Sequence, residues 1–195
     1  MLKEFQMFGR DLFLSGLNNS HSGNLSVRID DKVLITRRGA MLGCLEENDL
    51  IETGLFSDDG NTTKASTELG VHRAIYRETA AAAIVHAHPV HAIALSLLVD
   101  EIIPIDAEGA YLFNRIPILK AAHTIGSEEV AEKLPVLLKE NKIVVVGGHG
   151  SFATGQKLEQ AYQWTTSLEN ICRVICLTMQ VRGNILNANN HPEQN

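Results

Sequence analysis

Cysteine is scarce in this chain of 195 residues, with Cys44, Cys172 and Cys176 the full complement. An odd number without CxxC spacing supports neither a disulfide framework nor a thiolate zinc site. Cys172 and Cys176, one helical turn apart, read as small core residues. Basic charge is also in deficit: 17 Lys and Arg stand against 23 Asp and Glu, for a net charge of −6. That is not the balance of a nucleic-acid binder, so an anionic ligand has to be held by a local site. Long apolar runs are missing too. Each is interrupted by His, Ser, Asp or Gly well short of the ~20 residues that cross a bilayer, which argues against a membrane partner. Lys3 and Glu4 interrupt what would have to be the apolar core of a signal peptide, so the cytoplasm is the expected compartment. There is no repeat, linker or low-complexity stretch. One domain is expected over residues 1–186, followed by a polar, mobile tail at 187–195.

What is present alternates between helical and strand patterns. Leu2, Phe5, Leu12 and Phe13 lie at roughly helical spacing and Gly16 offers a stop, which predicts an amphipathic first helix. Leu25-Ser26-Val27-Arg28-Ile29, the turn residues Asp30-Asp31-Lys32 and Val33-Leu34-Ile35-Thr36 predict a hairpin. Ser66 or Thr67 is placed to cap a helix running to about Thr79. Ala83-Ile84-Val85-His86-Ala87-His88 reads as a buried strand that ends before Pro89, which cannot donate to a ladder. Ile103-Pro104-Ile105 and Ile116-Pro117-Ile118-Leu119 read as short strands, and Lys142 to Gly147 as a buried one. Helices are expected from Ser127 to Glu140 and from Lys157 to about Gln180. The expected fold is a three-layer α/β/α domain around a mixed, largely antiparallel sheet.

Chemistry concentrates in a few polar residues at the edges of apolar segments. Side chains two apart on a strand share a face, so His86 and His88 can grip one ion while Ala87 points away. His149, among glycines at the end of a very apolar strand, is free to face a cavity. Glu68 stands at the first turn of a helix, where a carboxylate also simply favours the helix dipole. Imidazole nitrogen with carboxylate oxygen suits a catalytic zinc, whereas structural zinc sites lean on thiolate. Ser22-Gly23-Asn24 and the helix start at Ser66-Thr67 can turn successive N–H groups toward one point and cradle an anion, although each taken alone reads first as a plain turn or a plain cap. His72, one turn after Glu68, and His91, one turn after His88, read as packing residues or as hydrogen-bonding supports of those candidate ligands. Tyr162 and Trp164 read as packing residues of the last helix.

The order of these motifs along the chain resembles the class II aldolase and adducin family. The resemblance covers about residues 5 to 180. It rests on Ser22-Gly23-Asn24-Leu25-Ser26-Val27-Arg28, Leu34-Ile35-Thr36 with Gly39, Ser66-Thr67-Glu68, His86-Ala87-His88-Pro89-Val90-His91, and Gly148-His149-Gly150. It implies that His86, His88 and His149 hold one zinc per subunit, with Glu68 as a fourth ligand or as the base beside it; manganese, cobalt and iron fit the same donors. It implies that Ser22, Gly23, Asn24, Gly39, Ser66 and Thr67 surround a substrate phosphate. Arg38 stands where the family more often has a small hydroxyl residue, and is either a further anion contact or a solvated charge.

The resemblance further implies a reversible aldol cleavage of a ketose 1-phosphate, such as L-fuculose 1-phosphate or a deoxypentulose 1-phosphate. The products are dihydroxyacetone phosphate and a small aldehyde, formed through a zinc-stabilised enediolate. Glu108 and Tyr111 are the candidates for a second acid or base, and the tyrosine that the family carries near the C-terminus has no counterpart after Tyr162. A homotetramer is implied. The competing expectations are a sugar-phosphate 4-epimerase or a methylthioribulose-1-phosphate dehydratase on the same site and, from a different class, a non-catalytic adducin-like interaction module.

Overall fold

The computed structural model describes residues 1–190. Helix α1 (Leu2–Leu14) turns Phe5, Phe8 and Leu12 inward. It ends as expected at Gly16, where the Gly16 N–H donates to the Phe13 carbonyl and the Leu17 N–H to the Leu12 carbonyl. This pair of bonds satisfies carbonyls that every helix end leaves free. The expected hairpin follows as β1 (Asn24–Ile29) and β2 (Lys32–Thr36), joined through Asp30 and Asp31. An unforeseen strand, β3 (Leu50–Gly54), extends it.

Helix α2 (Leu69–Glu78) starts later than expected. Ser66 and Thr67 do not occupy the cap position, which falls to Glu68. The reason is local: Ser66 Oγ accepts from the Glu68 N–H at 3.2 Å, a tight turn that uses the hydroxyl before the helix begins. Then come β4 (Ala83–Ala87), α3 (Val90–Ser96), β5 (Glu101–Ile102) and α4 (Ala107–Leu112). The strand expected at Ile103-Pro104-Ile105 is instead β5, just upstream, and the chain leaves the sheet before Pro104, which has no N–H to donate. The chain continues with β6 (Ile116–Leu119), α5 (Glu128–Leu138), β7 (Ile143–Val146), β8 (Gly150–Gly155) and α6 (Leu158–Asn190). Strand β8 and helix α4 were not legible in advance. The tail expected from residue 187 falls partly on α6, and residues 191–195 lie outside the described residues.

The eight strands form one sheet in the order β3-β2-β1-β4-β8-β7-β6-β5. Only β6 and β7 pair in parallel, so the sheet is mixed and largely antiparallel. One face buries Phe5, Phe8 and Leu12 of α1, Ala92 and Leu95 of α3, and Leu168, Ile171 and Cys172 of α6. The other buries Leu69, Val71 and Ile75 of α2 and Val130 and Leu134 of α5. Each fully buried Leu, Ile or Phe contributes roughly 1.5–3 kcal/mol, so two such layers hold the sheet rigid between them. Strand β4 lies inside that sandwich, paired on both edges and buried at all five positions. Among the described residues no helix is long and apolar enough to cross a membrane.

Candidate active site

Period two along β4 places Ile84 and His86 on the face covered by α2 and α5, and His88 follows beyond the strand end. Across the ladder His86 stands opposite Asn24 of β1 and Phe152 of β8, whose ring stacks on the imidazole at 4.1 Å. His149 enters from the turn between β7 and β8. The glycine after it is a steric necessity: a Cβ on Gly150 would stand 2.8 Å from His88 Cδ2 and would also overlap the Ala87 carbonyl. Only a residue without a side chain lets β8 pass this close to the two histidines.

The candidate ligand atoms of His86, His88 and His149 all lie within 4.8 Å of one another. His86 Nε2 and His88 Nε2 are 3.1 Å apart, close to the roughly 3.3 Å that separates two nitrogens bound tetrahedrally at about 2.0 Å. The His86 Nδ1–H donates to the Ser151 carbonyl at 3.0 Å, which leaves the Nε2 lone pair facing its neighbours. Glu68 joins them, with Oε1 3.8 Å from His149 Nε2. Oε1 also accepts from the Gly126 N–H at 3.0 Å, whereas Glu68 Oε2 and His149 Nδ1 are buried without a protein partner.

Burial, with the neighbouring His88 and His149 adding to it, holds His86 well below the usual imidazole range. Burial likewise lowers His88 to about 4 and depresses His149. Three neutral imidazoles are the form in which histidine binds a metal. Burial pushes the Glu68 carboxyl up to about 7, against the opposing Gly126 N–H. A buried carboxyl with a free oxygen beside three neutral imidazoles is a donor set that fits a divalent cation.

The anion residues converge on the same place. A cleft of about 230 Å³ is lined by Ser22, Gly23, Asn24, Arg38, Gly39, Ser66 and Thr67 together with Glu68, His86, His88 and His149. Two guanidinium groups sit at its rim and differ in their commitments. Arg37 is tied to Asp49 by contacts of 2.7 and 3.0 Å and to the Arg38 carbonyl at 2.9 Å. The Arg38 side chain makes no hydrogen bond or ion pair among the described residues and is exposed.

Glu108 and Tyr111 are not brought to this cleft. Both lie on α4, which follows β5 at the far edge of the sheet and packs through Gly109 against Ile171 of α6. Tyr111 is 88% exposed and Glu108 lines a different cavity. His72 does not line the cleft; its Nδ1 meets Ser26 Oγ at 2.7 Å inside the core. Sequence reasoning missed His21, Arg37 and Ile125, which also line the cleft, and Gly126, which holds Glu68. Nothing local marks these four, because the loops that carry them acquire their place only when β6, α5 and the hairpin pack around α2.

The chain as a whole is similar to known proteins. Residues 3–176 match the family model described as Class II Aldolase and Adducin N-terminal domain. A crystal structure of L-fuculose-1-phosphate aldolase from Thermus thermophilus superposes with a TM-score of 0.88 at 35% identity, covering 93% of this chain and 95% of that one. The L-fuculose phosphate aldolase of Escherichia coli is 32% identical over 85% of this chain and 78% of its own length. A 3-oxo-tetronate 4-phosphate decarboxylase of Haemophilus influenzae is also 32% identical, over 85% of this chain and 82% of its own.

Proposed function

The chain belongs to the class II aldolase and adducin family, and from that premise we propose that it is a metal-dependent aldolase that reversibly splits a ketose 1-phosphate, L-fuculose 1-phosphate or a related deoxypentulose 1-phosphate, into dihydroxyacetone phosphate and a small aldehyde. The observation that carries this reading is the meeting of three neutral imidazoles, a buried carboxylate and an anion cradle in one cleft. His86, His88 and His149 would hold the cation, zinc by donor type, with Glu68 as fourth ligand or adjacent base. When bound, it supplies Lewis-acid stabilisation of the negative charge that develops beside the substrate carbonyl.

The residues of the chain perform the rest. Ser22, Gly23, Asn24, Gly39, Ser66 and Thr67 take the phosphate, and Arg38, free of internal partners, adds a charge-assisted contact. This orients the reacting carbon toward Glu68. Its Oε1 is steadied by the Gly126 N–H, and its unpartnered Oε2 carries the proton to and from the carbon next to the carbonyl. Glu108 and Tyr111 take part only if a second copy brings them to the cleft, in keeping with a homotetramer. The similarity to 3-oxo-tetronate 4-phosphate decarboxylase supports a second reading, decarboxylation of a phosphorylated 3-oxo acid, which develops charge at the same kind of position.

Product analysis on ketose 1-phosphates tests the proposal. Triose phosphate release supports the aldolase; carbon dioxide from a 3-oxo acid phosphate, an epimerised sugar or a dehydrated product would replace it with a related enzyme. No turnover of any of these substrates would point to a binding module. Glu68→Gln is expected to keep most of the metal and to lower turnover by about 100-fold or more, the usual loss for an acid–base group.

A further inference from the structure

His88 is placed differently from its partners. The His86 ring is fixed through Nδ1 by the Ser151 carbonyl, but among the described residues the His88 ring packs on His149 and has no hydrogen-bond partner other than His86 itself. Its position therefore has to come through the main chain. Strand β4 ends at Ala87, and Pro89 is the cap residue of α3 without a side-chain cap bond. Local structure thus leaves the His88 N–H beyond the ladder and the first N–H groups of α3 without partners, an arrangement that is costly in a half-buried segment.

Distant parts of the chain satisfy both. Upstream, the His88 N–H donates to the Leu17 carbonyl at 2.8 Å and to Asn18 Oδ1 at 2.9 Å. Asn18 is buried, and its amide lies flat against Gly23 of the anion turn, where φ is +75° and a Cβ would stand 2.5 Å from Asn18 Nδ2. The amide is a wedge between the anion turn and the His88 backbone. Downstream, Glu169 of α6 accepts from the His91 N–H at 3.1 Å, the Ala92 N–H at 3.3 Å and the His91 Nδ1–H at 2.7 Å. It does for α3 what a cap residue does elsewhere, from 78 positions away in sequence.

We propose that Asn18 and Glu169 are positioning residues that set the stance of His88 from either side of the strand end, Asn18 through the His88 N–H and Glu169 through the helix start after Pro89. The inference rests on the reading of His86, His88 and His149 as metal ligands. Neither residue lines the cleft, so neither acts by touching substrate.

The test is a titration of metal-free protein with Co2+, following its visible d–d absorption, for wild type, Asn18→Ala, Asn18→Asp, Glu169→Ala and Glu169→Gln, with urea unfolding of each. Each alanine variant is expected to bind Co2+ about tenfold more weakly, in line with the loss of supports around other metal sites, and with an altered band. The aspartate and glutamine variants keep an acceptor oxygen in place and are expected to recover most of the affinity and the wild-type band. Asn18→Leu and Glu169→Met remove the same acceptor oxygens while filling the space they leave, and give the same reading if an alanine variant does not fold. Unchanged affinity and band in folded variants, or conservative variants no better than alanine, overturns the proposal. Wild type that takes up no Co2+ instead removes the metal reading and this inference with it.

Discussion

Single residues decide whether the site exists. Gly150 passes so close to Ala87 and His88 that one methyl group has nowhere to go. Gly150→Ala is therefore expected to lower metal affinity at least tenfold, a loss of roughly 1.4 kcal/mol, while the protein still folds; equilibrium dialysis with Zn2+ checks it, and unchanged affinity would contradict the packing account. His72 sets a pH dependence. It is buried against Ser26, Tyr76 and Phe152, and burial lowers it to about 3 from an ordinary 6.5. With the folded value depressed, the unfolded chain takes up a proton first as pH falls, so this group costs stability from about pH 6.5 downward at up to about 1.4 kcal/mol per pH unit. His72→Gln should be less stable than wild type at pH 7.5, with the gap narrowing toward pH 5, in urea titrations of metal-free protein. A gap that stays constant would refute a neutral buried imidazole. The histidines and the glutamate were legible because each carries its chemistry in its side chain, and the anion residues because glycine, asparagine and hydroxyl residues mark a turn or a helix start. Gly126, Asn18 and Glu169 were not, because each is tied to the site by a main-chain N–H bond between segments far apart in sequence.

Elements were legible where their own residues dictate them. The spacing of Phe5 and Leu12, the hairpin at Asp30-Asp31 and the apolar run of β7 all appear close to where local patterns put them. Helix α5 begins where Ser127 accepts from the Val130 N–H at 3.1 Å, and Ser127→Ala is expected to cost about 1 kcal/mol in urea unfolding, with no loss if the cap is idle. Strands β3 and β8 escaped notice for a common reason. Leu50–Gly54 and Gly150–Gly155 mix small, polar and apolar residues, and become strands because neighbours offer them complete ladders. Glu108 and Tyr111 belong to this level too, since the family pattern says which segment carries them but not that α4 sits at the far edge of the sheet, away from the cleft of its own chain.

The molecule as a whole shows more apolar surface along one stretch than its two cores explain. Leu97, Leu98, Ile103, Ile105 and Tyr111 are exposed, Leu98 by 78%. If this stretch is where copies meet, Leu98→Glu should shift the mass seen by light scattering from tetramer to smaller species, and Tyr111→Ala should lower turnover without weakening Co2+ uptake. A wild-type protein that is monomeric at all concentrations would remove both expectations.

Composition and motif order were enough to indicate an α/β chain and to single out three histidines, one carboxylate and a Ser-Gly-Asn turn as candidates, because side-chain type and local periodicity are properties of short segments. Folding alone could establish that these segments, separated by up to 127 positions between Ser22 and His149, share one cleft and that Glu108 and Tyr111 do not line it. Strand order and the packing of two helical layers set those distances, and they depend on long-range burial that no local pattern encodes.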